Sequence, residues 1–146
     1  MIVIDASVTL AWCFSDEASQ STDQLLDAVS ADGAMVPALW IYEVTNVLAS
    51  AERRDRITPA DAGAFLDDLR HLPIVVEPAF GDWGPANLVA LARQHGLTAY
   101  DCAYLDVAAR HGLPLATQDR TLRSAAQSAG VTVVGPEPGR LSPRAE

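Results

Sequence analysis

Lysine is absent from this sequence. All ten basic residues are arginine, set against nineteen aspartates and glutamates, for a net charge of −9. A protein that coats nucleic acid by charge alone carries a basic surplus, so that class is excluded. A local arginine patch is still allowed, and "AERRDR" supplies the densest one, with Arg53, Arg54 and Arg56 at the end of a predicted helix. Its arginines either offset the helix dipole or bind substrate. Cysteine is scarce. Cys13 and Cys102 lie in apolar segments without CxxC or Cys/His spacing, which excludes a disulfide framework and a zinc site and leaves two buried free thiols as the expectation. Long apolar runs are also lacking. "VPALWI" is far too short to cross a bilayer, and the N-terminus has no charged, apolar, small-residue series of the signal-peptide kind. A soluble cytoplasmic protein with no membrane association is expected.

What is present suits one globular domain: 146 residues, 49% of them hydrophobic. Short β-rich runs alternate with longer helical patterns. "MIVI", "AMV" (34–36), "IVV" (74–76), "PLAT" (114–117) and "VTVV" (131–134) are five predicted strands. Helices are predicted in "SVTLAWCF", "DQLLDAVSA", "LWIYEVTNVLASAERR", "TPADAGAFLDDLRHL", "ANLVALARQH", "AYDCAYLDVAARH" and "DRTLRSAAQSA". Alternating elements with mostly unpatterned apolar strands predict an α/β/α sandwich, a parallel sheet of about five strands covered on both faces.

Turn chemistry supports the helix boundaries. "TPAD" has a Thr N-cap, Pro at the first helical position and an acid three residues after the cap. "LARQHGL" and "AARHGL" each end on a basic residue, a glycine and an apolar residue, a helix stop. That assigns His95 and His111 to structure, and His71 in "LRHLP" reads as another helix end. The Pro- and Gly-rich tail from Gly135 to Glu146 is expected to be flexible, leaving residues 1–134 as the domain.

In an open parallel sheet, ligands bind at the carboxyl ends of the strands. Asp5 closes the first strand, and Asp119 follows the fourth after Thr117 and Gln118. Asp101 lies three residues after a predicted N-cap, Thr98. Glu43 lies one to two turns into the helix after the second strand. Each acid has a dull reading: Asp101 completes a capping box, Asp119 caps the last helix or pairs with Arg120 or Arg123, and Asp5 begins a turn with Ser7 capping the next helix. Glu43 shares a stripe with Leu39, Asn46 and Ser50, beside an apolar stripe of Ile41, Val44, Leu48 and Ala51. Its flanks, "LWIYEV", predict partial burial, which an acid seldom has without a partner. If the four acids converge to about 4 Å, each pair repels by up to roughly 4 kcal/mol at an effective dielectric near 20. With no Lys, His or Cys at these positions, the economical counter-charge is a hard divalent cation, Mg²⁺ or Mn²⁺. The favoured reaction is phosphodiester hydrolysis.

"MIVIDASV", "YEVTNVL", "LTAYDCAYLDVA" and "LATQD" together resemble the PIN-domain ribonucleases, in particular VapC-type toxins, across residues 1 to about 134. The resemblance implies a PIN fold and Mg²⁺- or Mn²⁺-dependent endonucleolytic cleavage of RNA. By position it implies an acidic quartet of Asp5, Glu43, Asp101 and Asp119. Asp5 and Asp101 would be the principal metal ligands, with Glu43 and Asp119 binding directly or through water. Ser7, Asn46 and Thr117 match polar positions beside that quartet. A cognate VapB-type antitoxin and a homodimer are further implications. The strong negative charge departs from many nucleases and leaves the RNA-contacting residues open.

Two other acid-bearing α/β folds fit less well. A phospho-accepting receiver domain needs a lysine after its fifth strand, and this chain has none. A haloacid-dehalogenase-type phosphatase needs D-x-D after its first strand, where this chain has "DAS". A catalytically silent PIN-like binding module, or another Mg²⁺-dependent phosphoryl-transfer enzyme, is the alternative reading.

Overall fold

A computed structural model describes residues 1–78 and 84–136. The predicted tail, apart from Gly135 and Pro136, lies outside these. Within them the chain runs β1 (Ile2–Ile4), α1 (Ala6–Ala11), α2 (Gln20–Asp32), β2 (Ala34–Pro37), α3 (Trp40–Arg53) and α4 (Pro59–His71). It continues through β3 (Ile74–Glu77), α5 (Gly84–His95), α6 (Ala99–His111), β4 (Leu115–Ala116), α7 (Arg120–Ser128) and β5 (Val133–Val134). All five predicted strands form, and helices flank the sheet as the alternation predicted. No helix among the described residues is long and apolar enough to cross a membrane.

The sheet is parallel throughout, in the order β3-β2-β1-β4-β5. β1 is the hinge of this order. Its Val3 stands opposite Met35 of β2 on one side and Leu115 of β4 on the other, and both Val3 and Ile4 are fully buried. β-branched side chains suit that position because they pack against neighbours on both faces. Later strands add first on the β2 side and then on the β4 side. The order therefore reverses around β1, and the crevice at the carboxyl ends of β1 and β4 is the place where such sheets bind ligands. β3 is an edge strand, so Val75 and Val76 are about half exposed rather than covered as a central strand would be.

Local sequence sets where the helices begin and stop. Thr58 and Asp61 exchange the two hydrogen bonds of a capping box, with Pro59 at the first helical position. Leu97 and Leu113 each donate their N–H back across the preceding glycine, to Ala92 and Ala108, closing the two His-Gly-Leu stops. Gly96 and Gly112 hold the positive φ that this closure requires. The histidines are helix-end residues, as expected. His71 Nδ1 lies 2.8 Å from the Asp67 carbonyl, and His111 Nε2 lies 2.8 Å from Glu77.

Two details differ from the sequence reading. Trp40, not Ile41, leads the buried stripe of α3, joined by Val44, Leu48 and Ala51, while Ile41 is partly exposed. The indole explains the difference. It donates from Nε1 to Thr9 Oγ1 at 3.0 Å, and Thr9 donates onward to the Asp5 carbonyl, pinning α3 to α1 beneath the site. The arginine patch is also resolved in part. Arg56 reaches Asp16 and Glu17 at 2.8 and 2.9 Å with its guanidinium 3.7 Å above the Phe14 ring, so it clamps the α1–α2 loop.

Candidate active site

Asp5 sits at the reversal point of the sheet and is almost fully buried. It is itself the N-cap of α1: Oδ1 accepts from the Val8 N–H at 3.1 Å and from Ser7 Oγ at 2.6 Å. The expectation that Ser7 caps this helix is thus corrected. Ser7 lies inside the first turn, where its hydroxyl can reach back to the aspartate while accepting from the Gln118 N–H at 3.0 Å. The other Asp5 oxygen, Oδ2, accepts from Thr117 Oγ1, and Thr117 in turn accepts from the Asp119 N–H at 3.0 Å. Ser7 and Thr117 therefore lash the end of β1 to the loop after β4. Burial pushes the Asp5 carboxyl above its ordinary range, the bonds from Ser7, Thr117 and Val8 pull it back, and the field of Asp119 pushes it up again.

The remaining acids are carried by helix starts. Asp119 is exposed and caps α7, accepting from the Leu122 N–H at 2.7 Å, which bears out the capping reading. Arg123 donates to backbone carbonyls, those of Thr117, Gly135 and Pro136. Asp101 lies in the first turn of α6, whose N-cap Thr98 accepts from the Asp101 N–H at 3.1 Å. Its carboxyl is raised by partial burial and then by Asp119, against a bond from Thr98. Glu43, in the first turn of α3, is half-buried as its flanks predicted. Burial raises its carboxyl, a bond from Tyr104 lowers it, and the charges of Asp5 and Asp101 raise it again.

These influences close a circuit. Asp119 acts on Asp5 and Asp101, and Asp5 and Asp101 act on Glu43. The four acids, dispersed over 115 residues of sequence, share one edge of the sheet. Among the described residues no three His, Cys, Asp or Glu side chains are gathered closely enough to hold a metal ion between them. Asp5 and Asp119 each cap a helix, and Glu43 accepts from Tyr104.

The donor set still fits a hard divalent cation. It offers oxygen only, it is mutually repulsive, and its open spacing suits an ion such as Mg²⁺ that keeps several waters and takes one or two protein carboxylates. Cys13 and Cys102 are free and play no part. Burial raises both thiols, which keeps them protonated.

Tyr104 is a site residue that sequence reasoning missed. It is fully buried on α6, and its hydroxyl donates to Glu43 Oε1 at 3.4 Å. Burial, then the charges of Glu43 and Asp5, push the phenol well above its ordinary range, so it stays protonated and acts as a donor. In sequence it reads as one more apolar position of an amphipathic helix, and its partner is 61 residues away. Asn46 differs from Ser7 and Thr117. It is exposed and lines an open groove of about 930 Å³ with Leu39, Tyr42, Glu43, Thr98 and Asp101.

Comparison with known proteins gives the same picture. A family model described as the PIN domain matches residues 2–127. Ribonuclease VapC3 of Pyrobaculum aerophilum is 31% identical over 121 residues, covering 83% of this chain and 91% of its own length. Ribonuclease VapC9 of Mycobacterium tuberculosis is 30% identical over 135 residues, 92% of this chain and 98% of its own. A crystal structure of PAE2754 from Pyrobaculum aerophilum superposes with a TM-score of 0.67 at 28% identity, covering 91% of this chain and 83% of that one. With the parallel order around β1, acids at its reversal point and a family match over most of its length, the chain belongs to the PIN-domain family.

Proposed function

We propose that this chain is a metal-dependent endoribonuclease toxin that hydrolyses RNA phosphodiester bonds and is neutralised by a cognate VapB-type antitoxin. The observation that carries the reading is the circuit of four carboxylates at the reversal point of the sheet, in which Asp119 acts on Asp5 and Asp101, and these two act on Glu43. The ribonuclease names of its relatives support the same chemistry.

In this reading Asp5 and Asp101 are the principal ligands of Mg²⁺ or Mn²⁺, and Glu43 and Asp119 bind directly or through water. A divalent ion bound there supplies polarisation of a phosphoryl oxygen and a more acidic water. The chain's own part is positional. Ser7 and Thr117 fix both oxygens of Asp5, and Tyr104 orients Glu43. Pinning the ligands before substrate arrives means that little reorganisation is left for the reacting state. The catalytic unit is residues 1–134, and the protein acts in the cytoplasm as a homodimer.

The open spacing of the acids favours one second reading, a catalytically silent binding module. Cleavage of single-stranded RNA by EDTA-stripped protein separates the two. The nuclease reading requires activity to return with Mg²⁺ or Mn²⁺, and a folded protein inert under both ions sinks it.

A further inference from the structure

The chain has only three tyrosines, and all three stand at the acidic site. Tyr104 lies buried against Glu43, whereas the other two face outward. Tyr42 immediately precedes Glu43 in the first turn of α3, and Tyr100 immediately precedes Asp101 in the first turn of α6. Tyr42 is 75% exposed and Tyr100 is 68% exposed, and both line the 930 Å³ groove that also contains those two acids. Rings left this open do little for folding, because the apolar area they withdraw from water is small. Among the described residues that line the groove there is no arginine or histidine. These walls offer a polyanion no counter-charge, but they do offer two aromatic faces beside two site acids.

We propose that Tyr42 and Tyr100 are the base-stacking platforms of a single-stranded RNA site, holding nucleotides next to the phosphodiester presented to the acids. The proposal rests on the nuclease reading and names how that site takes its substrate. Stacking requires bases whose faces are free, so single strands are bound and duplexes are not. Stacking also tolerates any base, because every base has a π-face. Because few phosphates are neutralised by side chains, affinity changes little with salt. Each phosphate contact adds about 0.7 to the slope of log affinity against log salt for single strands, and a slope below about 1 is expected here.

Steady-state cleavage of a short single-stranded oligoribonucleotide in Mn²⁺, with direct binding of the same oligonucleotide, tests this on the full chain. Tyr42→Ala and Tyr100→Ala should each raise KM and weaken binding by roughly 5- to 100-fold, the range of aromatic stacking per base. Tyr42→Phe and Tyr100→Phe should restore both, since the ring and not the hydroxyl does the binding. Unchanged KM in the alanine variants while the wild type cleaves overturns the platforms and leaves the nuclease reading standing. Phenylalanine variants as weak as alanine overturn stacking in favour of the hydroxyl. Unchanged KM with an altered sedimentation coefficient assigns the tyrosines to protein contact and overturns the proposal. Tyrosine-dependent binding without any cleavage keeps the platforms and removes the nuclease.

Discussion

Tyr104 donates its phenol to the carboxylate of Glu43 at 3.4 Å, tying α6 to α3 at the floor of the acidic site. The phenol cannot ionise there, and the bond is one of the forces holding the Glu43 carboxyl down against burial and two neighbouring charges. Tyr104→Phe removes that bond, so the Glu43 carboxyl rises further. The acid limb of the pH–rate profile then moves to higher pH, because the reactive carboxylate is protonated sooner as pH falls. If Glu43 also swings by about 1 Å, kcat falls by up to roughly a hundred-fold. An acid limb unmoved from wild type would show that the bond does not govern Glu43.

Thr117 performs two tasks with one hydroxyl, donating to Asp5 and accepting from the Asp119 N–H, and it is fully buried. Thr117→Val keeps the shape and removes both bonds. Leaving the buried Asp5 oxygen without its donor costs roughly 1–3 kcal/mol, which for a domain of this size lowers Tm by about 2–4 °C per kcal/mol. Activity should fall as well, since Asp5 loses one of its anchors. Thr117→Ser should recover most of both, and a serine variant no better than valine would point to packing rather than hydrogen bonding.

Three carboxyls of the site are raised in the folded protein, those of Asp5, Glu43 and Asp101. A raised carboxyl binds more protons folded than unfolded, so its contribution to stability declines as pH rises from the ordinary carboxylate range, about 4, through its folded value. Above that value the charged cluster is a standing liability. Asp61, whose carboxyl is lowered by Thr58, acts in the opposite sense, so the comparison belongs between variants rather than in one curve. Asp101→Asn should therefore raise Tm in neutral, EDTA-containing buffer and flatten the decline of Tm as pH rises from about 4. Mg²⁺ should raise the wild-type Tm more than that of the variant, because binding to the folded state alone stabilises it. A variant less stable than wild type in EDTA would mean that Asp101 is retained for its helix.

Much of this was legible in the sequence because it is local. "MIVID" announces a strand buried on both faces, "TPAD" a helix start, and "HGL" a helix stop, and each formed where it was expected. The sheet order was not legible, since nothing within β1 says that β2 and β4 will take its two sides. At the site, the four acids could be paired with strand ends and helix starts, and they meet at one edge. What the sequence hid were the contacts made across long separations. Asp5 rather than Ser7 caps α1 because the helix already begins at Ala6, and the Ser7 hydroxyl accepts instead from the Gln118 N–H, 111 residues away. Trp40 is buried because its indole finds Thr9, and Tyr104 has a role because Glu43 lies beneath it.

The measurement that tests the central claim most directly is cleavage of single-stranded RNA in Mn²⁺ by wild type and by Asp5→Asn. The asparagine keeps an oxygen for the Val8 N–H and for Ser7, so α1 stays capped and the fold is retained, as circular dichroism and Tm will record. The predicted result is a folded variant with cleavage reduced by about a hundred-fold or more. A folded Asp5→Asn, purified free of other nucleases, that cleaves at the wild-type rate would contradict the assignment of this carboxylate and of the site built around it.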